Sequence, residues 1–154
     1  MSPNMDDRAG ARSGTFGRPW EAQLLAGGVE SDQSFAVIEL IVGRGDGPPR
    51  HRHQLEDETI IVLAGCLTVA LGEQMKLVTE GECIVLPKGR DHSYRVDSEE
   101  ARLLVIVAPP GLEATCLEDV WHGNDLERLV AVAARFRIDI TGPALAETGR
   151  GDGD

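Results

Sequence analysis

An all-β barrel or sandwich is the fold this sequence predicts, on three observations. Short apolar runs of strand length recur along the chain, turn residues separate them, and only one segment carries a sustained helical period. The runs fall at residues 34–42, 59–63, 67–71, 83–86 and 103–108, and their β-branched content suits a pleated surface. Glycines and prolines at 43–49, Gly65, Gly72, Gly81 and 87–89 supply tight connections between them.

Several of these runs offer water no polar side. Ile60-Ile61-Val62-Leu63 and Leu103-Leu104-Val105-Ile106-Val107 are apolar on both faces, so such strands are expected to be covered by the barrel interior on one side and by a second layer or subunit on the other. A homodimer is the expected assembly. The single helix is predicted over 125–136, with Asn124 capping it, Glu127 completing a capping box, and Leu126, Leu129, Val130, Ala133 and Phe136 forming its apolar stripe. The expected division is a disordered tail at 1–14, a barrel at 15–121, a helix with an extension packed on it at 122–145, and a second disordered tail at 146–154. The tails are rich in glycine and charge.

Composition narrows the function. With 154 residues, 42% hydrophobic and 27% charged, the chain is an ordinary single globular domain able to build its own core. A net charge of −11 argues against nucleic acid or an anionic membrane surface as partner and leaves a small molecule. Cys66, Cys83 and Cys116 have neither disulfide nor thiolate-metal spacing and read as reduced; Cys83 is expected to be a small buried hydrophobe. Residues 1–15 lack the apolar core of a signal peptide, so the cytoplasm is the expected location.

The four histidines carry the chemistry. His51 and His53 are one residue apart, so on a strand both imidazoles leave the same face. Glu58 follows a polar turn and opens the next apolar run, where its carboxylate can return to the same point. His92 comes directly after the turn at 87–91 and must arrive from another strand. Three imidazoles and one carboxylate suit Fe, Mn, Ni, Co, Cu or Zn and leave coordination positions for substrate, as in a catalytic site. His122 has no ligand spacing to the others and reads as a helix-entry residue.

These residues lie in two long spaced motifs. The stretch from Gly45 through His51, His53 and Glu58 to Gly65 resembles G-x5-H-x-H-x4-E-x6-G. The stretch from Gly81 through Pro87 and Gly89 to His92 resembles G-x5-P-x-G-x2-H, with Val96 where a closing asparagine is usual. Both are similar to the paired motifs of the cupin family. The resemblance implies a double-stranded β-helix, or jelly-roll barrel, holding one metal ion through His51, His53, Glu58 and His92. Gly47-Pro48-Pro49, Glu56-Asp57-Glu58, residues 109–113 and the helix-and-tail at 126–143 resemble small bacterial cupins of the quercetin-dioxygenase-like type. Where many of those relatives carry aromatic residues after the glutamate, this chain has Thr59-Ile60-Ile61. An aliphatic wall is expected there, with no special support for a flat flavonol.

Such a site implies metal-centred work on a phenolic or enolisable molecule. In the first route Glu58 takes a proton and O2 reacts with the activated substrate, as in a dioxygenase. In the second the ion acts only as a Lewis acid while Glu58 or Tyr94 moves protons, giving isomerase, cyclase or lyase chemistry. A non-catalytic ligand-binding protein is the third reading. Tyr94, two residues beyond His92, shares its face on a strand and is the candidate donor. Trp20, Arg90, Asp91, Arg95 and Trp121 could line or gate the mouth of the pocket, but are expected at the surface or in packing.

Overall fold

A computed structural model describes residues 20–118, 120–121 and 125–146. The expected N-terminal tail, residues 147–154 of the C-terminal one, His122 and Asn124 lie outside the described residues. Strands are numbered in chain order. Two five-stranded antiparallel sheets pack face to face. The first runs in the order β1 (Glu21–Ala26), β2 (Ala36–Gly43), β9 (Glu100–Ala108), β4 (Asp57–Ala64) and β7 (Cys83–Leu86). The second runs β10 (Ile138–Ala144), β3 (Pro49–His53), β8 (His92–Val96), β5 (Cys66–Leu71) and β6 (Gln74–Thr79). This is the all-β jelly roll expected from the sequence.

Strand alternation builds the core. Ile38, Leu40 and Val42 on β2, Ile60 and Val62 on β4, and Leu103, Val105 and Val107 on β9 all turn inward. Leu67 and Val69 on β5 and Val96 on β8 meet them from the other sheet. Each such side chain contributes about 1.5–3 kcal/mol by leaving water. Val96, the departure from the second motif, is simply a core residue paired with Leu67. On the outer side of the first sheet, Ile61, Leu104 and Ile106 are only partly buried.

Several elements differ from expectation. Cys83 is exposed rather than buried, because β7 is an edge strand whose alternation sends Ile84 and Leu86 inward and Cys83 and Val85 outward. A single-turn helix, α1 (Glu113–Leu117), joins the expected one, α2 (Leu126–Arg135). The α2 cap is Asp125, whose side chain accepts from the Arg128 amide at 2.9 Å. Its buried stripe is Leu129, Val132 and Ala133, while Leu126 and Val130 are exposed. After α2 the chain returns as β10 and pairs with β3, setting Ile138 opposite His53 and Ile140 opposite His51. The C-terminal extension thus braces the strand that carries the paired histidines. Among the described residues no helix is long and apolar enough to cross a membrane.

Two glycines fix how the barrel closes near the site. A Cβ on Gly47 would lie 1.7 Å from the Tyr94 carbonyl oxygen, so only glycine lets the lead-in to β3 run against β8. Gly65 joins β4 to β5 at φ +88°, where a side chain would also meet the Glu100 carbonyl.

Candidate metal centre

The sequence Arg50-His51-Arg52-His53 lies on β3, and its alternation separates two jobs. His51 and His53 turn into the barrel at 4% and 2% exposure, while Arg50 and Arg52 turn outward and pair with Asp91 at 3.6 and 3.4 Å. Asp91 belongs to the turn before His92, so these half-exposed ion pairs tie that turn to the outside of β3 at modest energy. The turn is also held from within. The Gly89 amide donates to the His53 carbonyl at 2.8 Å, and the Lys88 amide donates to the Asp57 carboxylate at 2.9 Å. Antiparallel pairing then sets His92 directly opposite His51. Glu58 comes from the other sheet, on β4, with Val107 and Leu86 as its strand neighbours.

His51, His53, Glu58 and His92 are all buried, and one candidate ligand atom from each lies within 4.8 Å of the rest. Metal–ligand bonds of about 2.0–2.2 Å confine the donors of one ion to about 4.4 Å of each other. A small inward motion therefore suffices. The donor atoms point the right way. His51 Nδ1 lies 2.7 Å from the Pro49 carbonyl and His92 Nδ1 lies 3.3 Å from the Arg90 carbonyl, so each Nδ1 carries the proton and each Nε2 presents a lone pair. The Nε2 atoms of His53 and His92 are 3.2 and 3.4 Å from Glu58 Oε2 but are not aligned for hydrogen bonding, and both remain buried without a hydrogen-bond partner. Orphaned imidazole nitrogens around a buried carboxylate fit a divalent transition-metal ion.

Behind His53 stands Glu56, a residue the sequence reading left unassigned. Its Oε2 is 3.9 Å from His53 Nδ1, both groups are buried, and neither atom has another hydrogen-bond partner. A slight closure makes the carboxylate–histidine–metal arrangement that the two carbonyls supply for His51 and His92. Burial raises the Glu56 carboxyl above its usual range.

Burial, reinforced by the neighbouring His92 and His53, pushes His51 well below the ordinary imidazole value, which keeps it in the neutral form a metal requires. This has a sign for stability. The unfolded chain takes up a proton at His51 near 6.5, the folded one only at lower pH, so acid favours unfolding. Metal-free protein is expected to lose thermal stability progressively as pH falls below 6.5, measured by melting curves in chelator. A flat profile from pH 7 to about 5 would remove buried neutral His51 from the account.

The metal-ligand quartet opens on a cavity of about 370 Å3, counted out to its mouth. Trp20, Tyr94 and Trp121 line it, with Leu40, Val105 and Leu112 as its aliphatic wall. Trp20 and Trp121, expected at the surface or in packing, are 9% and 7% exposed, and the Trp121 ring lies 4.6 Å from the His51 ring. The Trp121 indole donates to Thr115 Oγ1 at 2.9 Å, and that hydroxyl donates to the Leu112 carbonyl at 2.6 Å, so the indole is tied to the α1 segment. Cys116 from the same segment also lines the cavity, and burial pushes its thiol up to about 12, far from a reactive thiolate. Ile60, expected to form an aliphatic wall beside Glu58, is instead fully buried in the core and is not among the residues lining the cavity, whose aliphatic side comes from Leu40, Val105 and Leu112. Arg90 is exposed. Arg95 faces away from the barrel interior, bonded to Asp97, Thr68 and the Ala146 carbonyl.

Comparison with known proteins agrees with this architecture. Residues 37–107 match the family described as the cupin domain. The matched span, from β2 to β9, is just under half of the chain, and over it the chain is similar to cupin-domain proteins. It is similar to quercetin 2,3-dioxygenase of Bacillus subtilis, 36% identical over 89 residues, covering 58% of this chain and 26% of that protein. The chain thus spans about a quarter of the length of that relative. Among solved structures it resembles KdgF from Halomonas sp., with a TM-score of 0.58 and 15% identity over 71% of this chain and 96% of the other. It also resembles a cupin-superfamily sugar phosphate isomerase from Silicibacter pomeroyi, at a TM-score of 0.50 and 23% identity, covering 58% and 59% of the two chains.

Proposed function

We propose that the protein is a metal-dependent oxidoreductase of the dioxygenase type, acting with O2 on a small phenolic or enolisable molecule. The observation that carries this reading is the buried quartet His51, His53, Glu58 and His92 at the wall of a cavity otherwise lined by aromatic and aliphatic side chains. The similarity to a protein named quercetin 2,3-dioxygenase supports it. A divalent ion bound there supplies Lewis acidity toward a substrate oxygen and, where redox-active, electrons for O2 chemistry. The chain's own residues do the rest. Glu58 is the one carboxylate in the quartet, and its oxygens are the acceptors placed to take the proton of an enol or phenol. Tyr94 stays protonated, since burial and then the charge of Glu58 push its hydroxyl well above the usual value, so it acts as a donor and not as a base. Leu40, Val105, Leu112 and Trp121 exclude water from the reacting oxygen.

The same pairing of a carboxylate acceptor with a phenolic donor also suits proton transfer without oxidation, as in an isomerase, cyclase or lyase. An oxygen electrode separates the two readings. Metal-loaded protein with a panel of catechols, enols and quercetin is expected to consume O2 only when both ion and substrate are present. Turnover of any of these substrates under strict anaerobiosis would reject the dioxygenase reading in favour of the non-redox one.

A further inference from the structure

Two hydrogen-bond donors in the cavity wall have nothing to donate to. The Tyr94 hydroxyl and the Trp20 indole Nε1–H are both buried, both belong to residues lining the cavity, and neither meets an acceptor among the described residues. Their rings lie 6.2 Å apart, tilted at 32°. The contrast with Trp121 is direct, since its indole in the same cavity is satisfied by Thr115. A buried donor left unpaired is costly, and native proteins rarely keep one without a use.

We propose that Tyr94 and Trp20 form an acceptor-binding subsite, which selects a ligand carrying an uncharged oxygen, a carbonyl or an ether, apart from the oxygens it turns to the metal-ligand quartet. The charge follows from the lining, which among the described residues contains no lysine or arginine; outside the quartet those residues are apolar apart from these two donors, the Trp121 indole, the Cys116 thiol and backbone. A second negative charge would be buried without a partner, whereas a neutral acceptor satisfies both donors. The subsite rests on the metal-centre reading and adds the substrate's second point of attachment.

The test compares zinc-loaded wild type, Tyr94→Phe and Trp20→Phe by calorimetric titration under argon. The probes are 2,3- and 3,4-dihydroxyacetophenone, each against 4-ethylcatechol, which keeps the chelating end and the shape but lacks the acceptor. The acidifying effect of the acetyl group is common to all three proteins and cancels when affinity ratios are compared between them. The ratio of acetyl to ethyl affinity is expected to fall about tenfold in each variant for the isomer that binds tighter. Tyr94→Phe is expected to melt no lower than wild type, because the hydroxyl it removes has no protein partner. Unchanged ratios, a fall in only one variant, or a destabilised Tyr94→Phe would overturn the two-donor subsite. Wild type that discriminates the probes yet never consumes O2 would keep the subsite and remove the dioxygenase reading; the reverse result would do the opposite.

Discussion

His92→Ala is expected to lower the affinity for a divalent transition metal by well over about 100-fold, beyond the loss typical of an outer-shell substitution. His92 is 1% exposed, stands opposite His51 on the neighbouring strand, and offers its Nε2 to the quartet, with Nδ1 held by the Arg90 carbonyl. The remaining donors, His51, His53 and Glu58, cannot close the coordination from the side of β8. Folding is expected to survive, because β8 keeps its ladder to β5 from Leu67–Val96 to Leu71–92. Metal titration followed by elemental analysis checks this. A folded variant with wild-type affinity would remove His92 from the ligand set.

Glu58→Gln is the second large effect. The amide keeps an oxygen that can face a metal but has no basic site for a substrate proton, so oxygen uptake is expected to fall by roughly 10²–10⁴-fold while part of the metal is retained. Metal loss in parallel with activity would make Glu58 a ligand alone. Activity lost at high occupancy would separate its role as base. Steady-state uptake on samples of known metal content distinguishes the outcomes.

The quartet was legible in the sequence because a strand's period of two and the turns around it leave few ways to aim these side chains. The walls of the cavity were not. Trp121 and Cys116 belong to a segment whose helix is a single turn, too short to display a period, and the Trp121 indole is held by Thr115, six residues before it. Trp20 precedes β1, whose Glu-Ala-Gln-Leu-Leu-Ala sequence favours helix as much as strand and becomes a strand by pairing with β2. Strand β10, containing Gly142 and Pro143, is defined by its ladder to β3 and not by its own pattern. Edge position likewise decided Cys83, which short-range alternation alone could not assign to a buried or an open face. Glu56 carried a weak signal as one of three successive acids, but its relation to His53 Nδ1 exists only once the turn after β3 has folded back.

His51, His53, Glu58 and His92 are expected to hold one ion together. Elemental analysis of the native protein, purified without chelator after growth in metal-supplemented medium, tests it most directly. Close to one transition-metal ion per chain is expected, lost in His92→Ala. A folded wild-type protein that stays metal-free, and that takes up none of Fe, Mn, Co, Ni, Cu or Zn on titration, would contradict it.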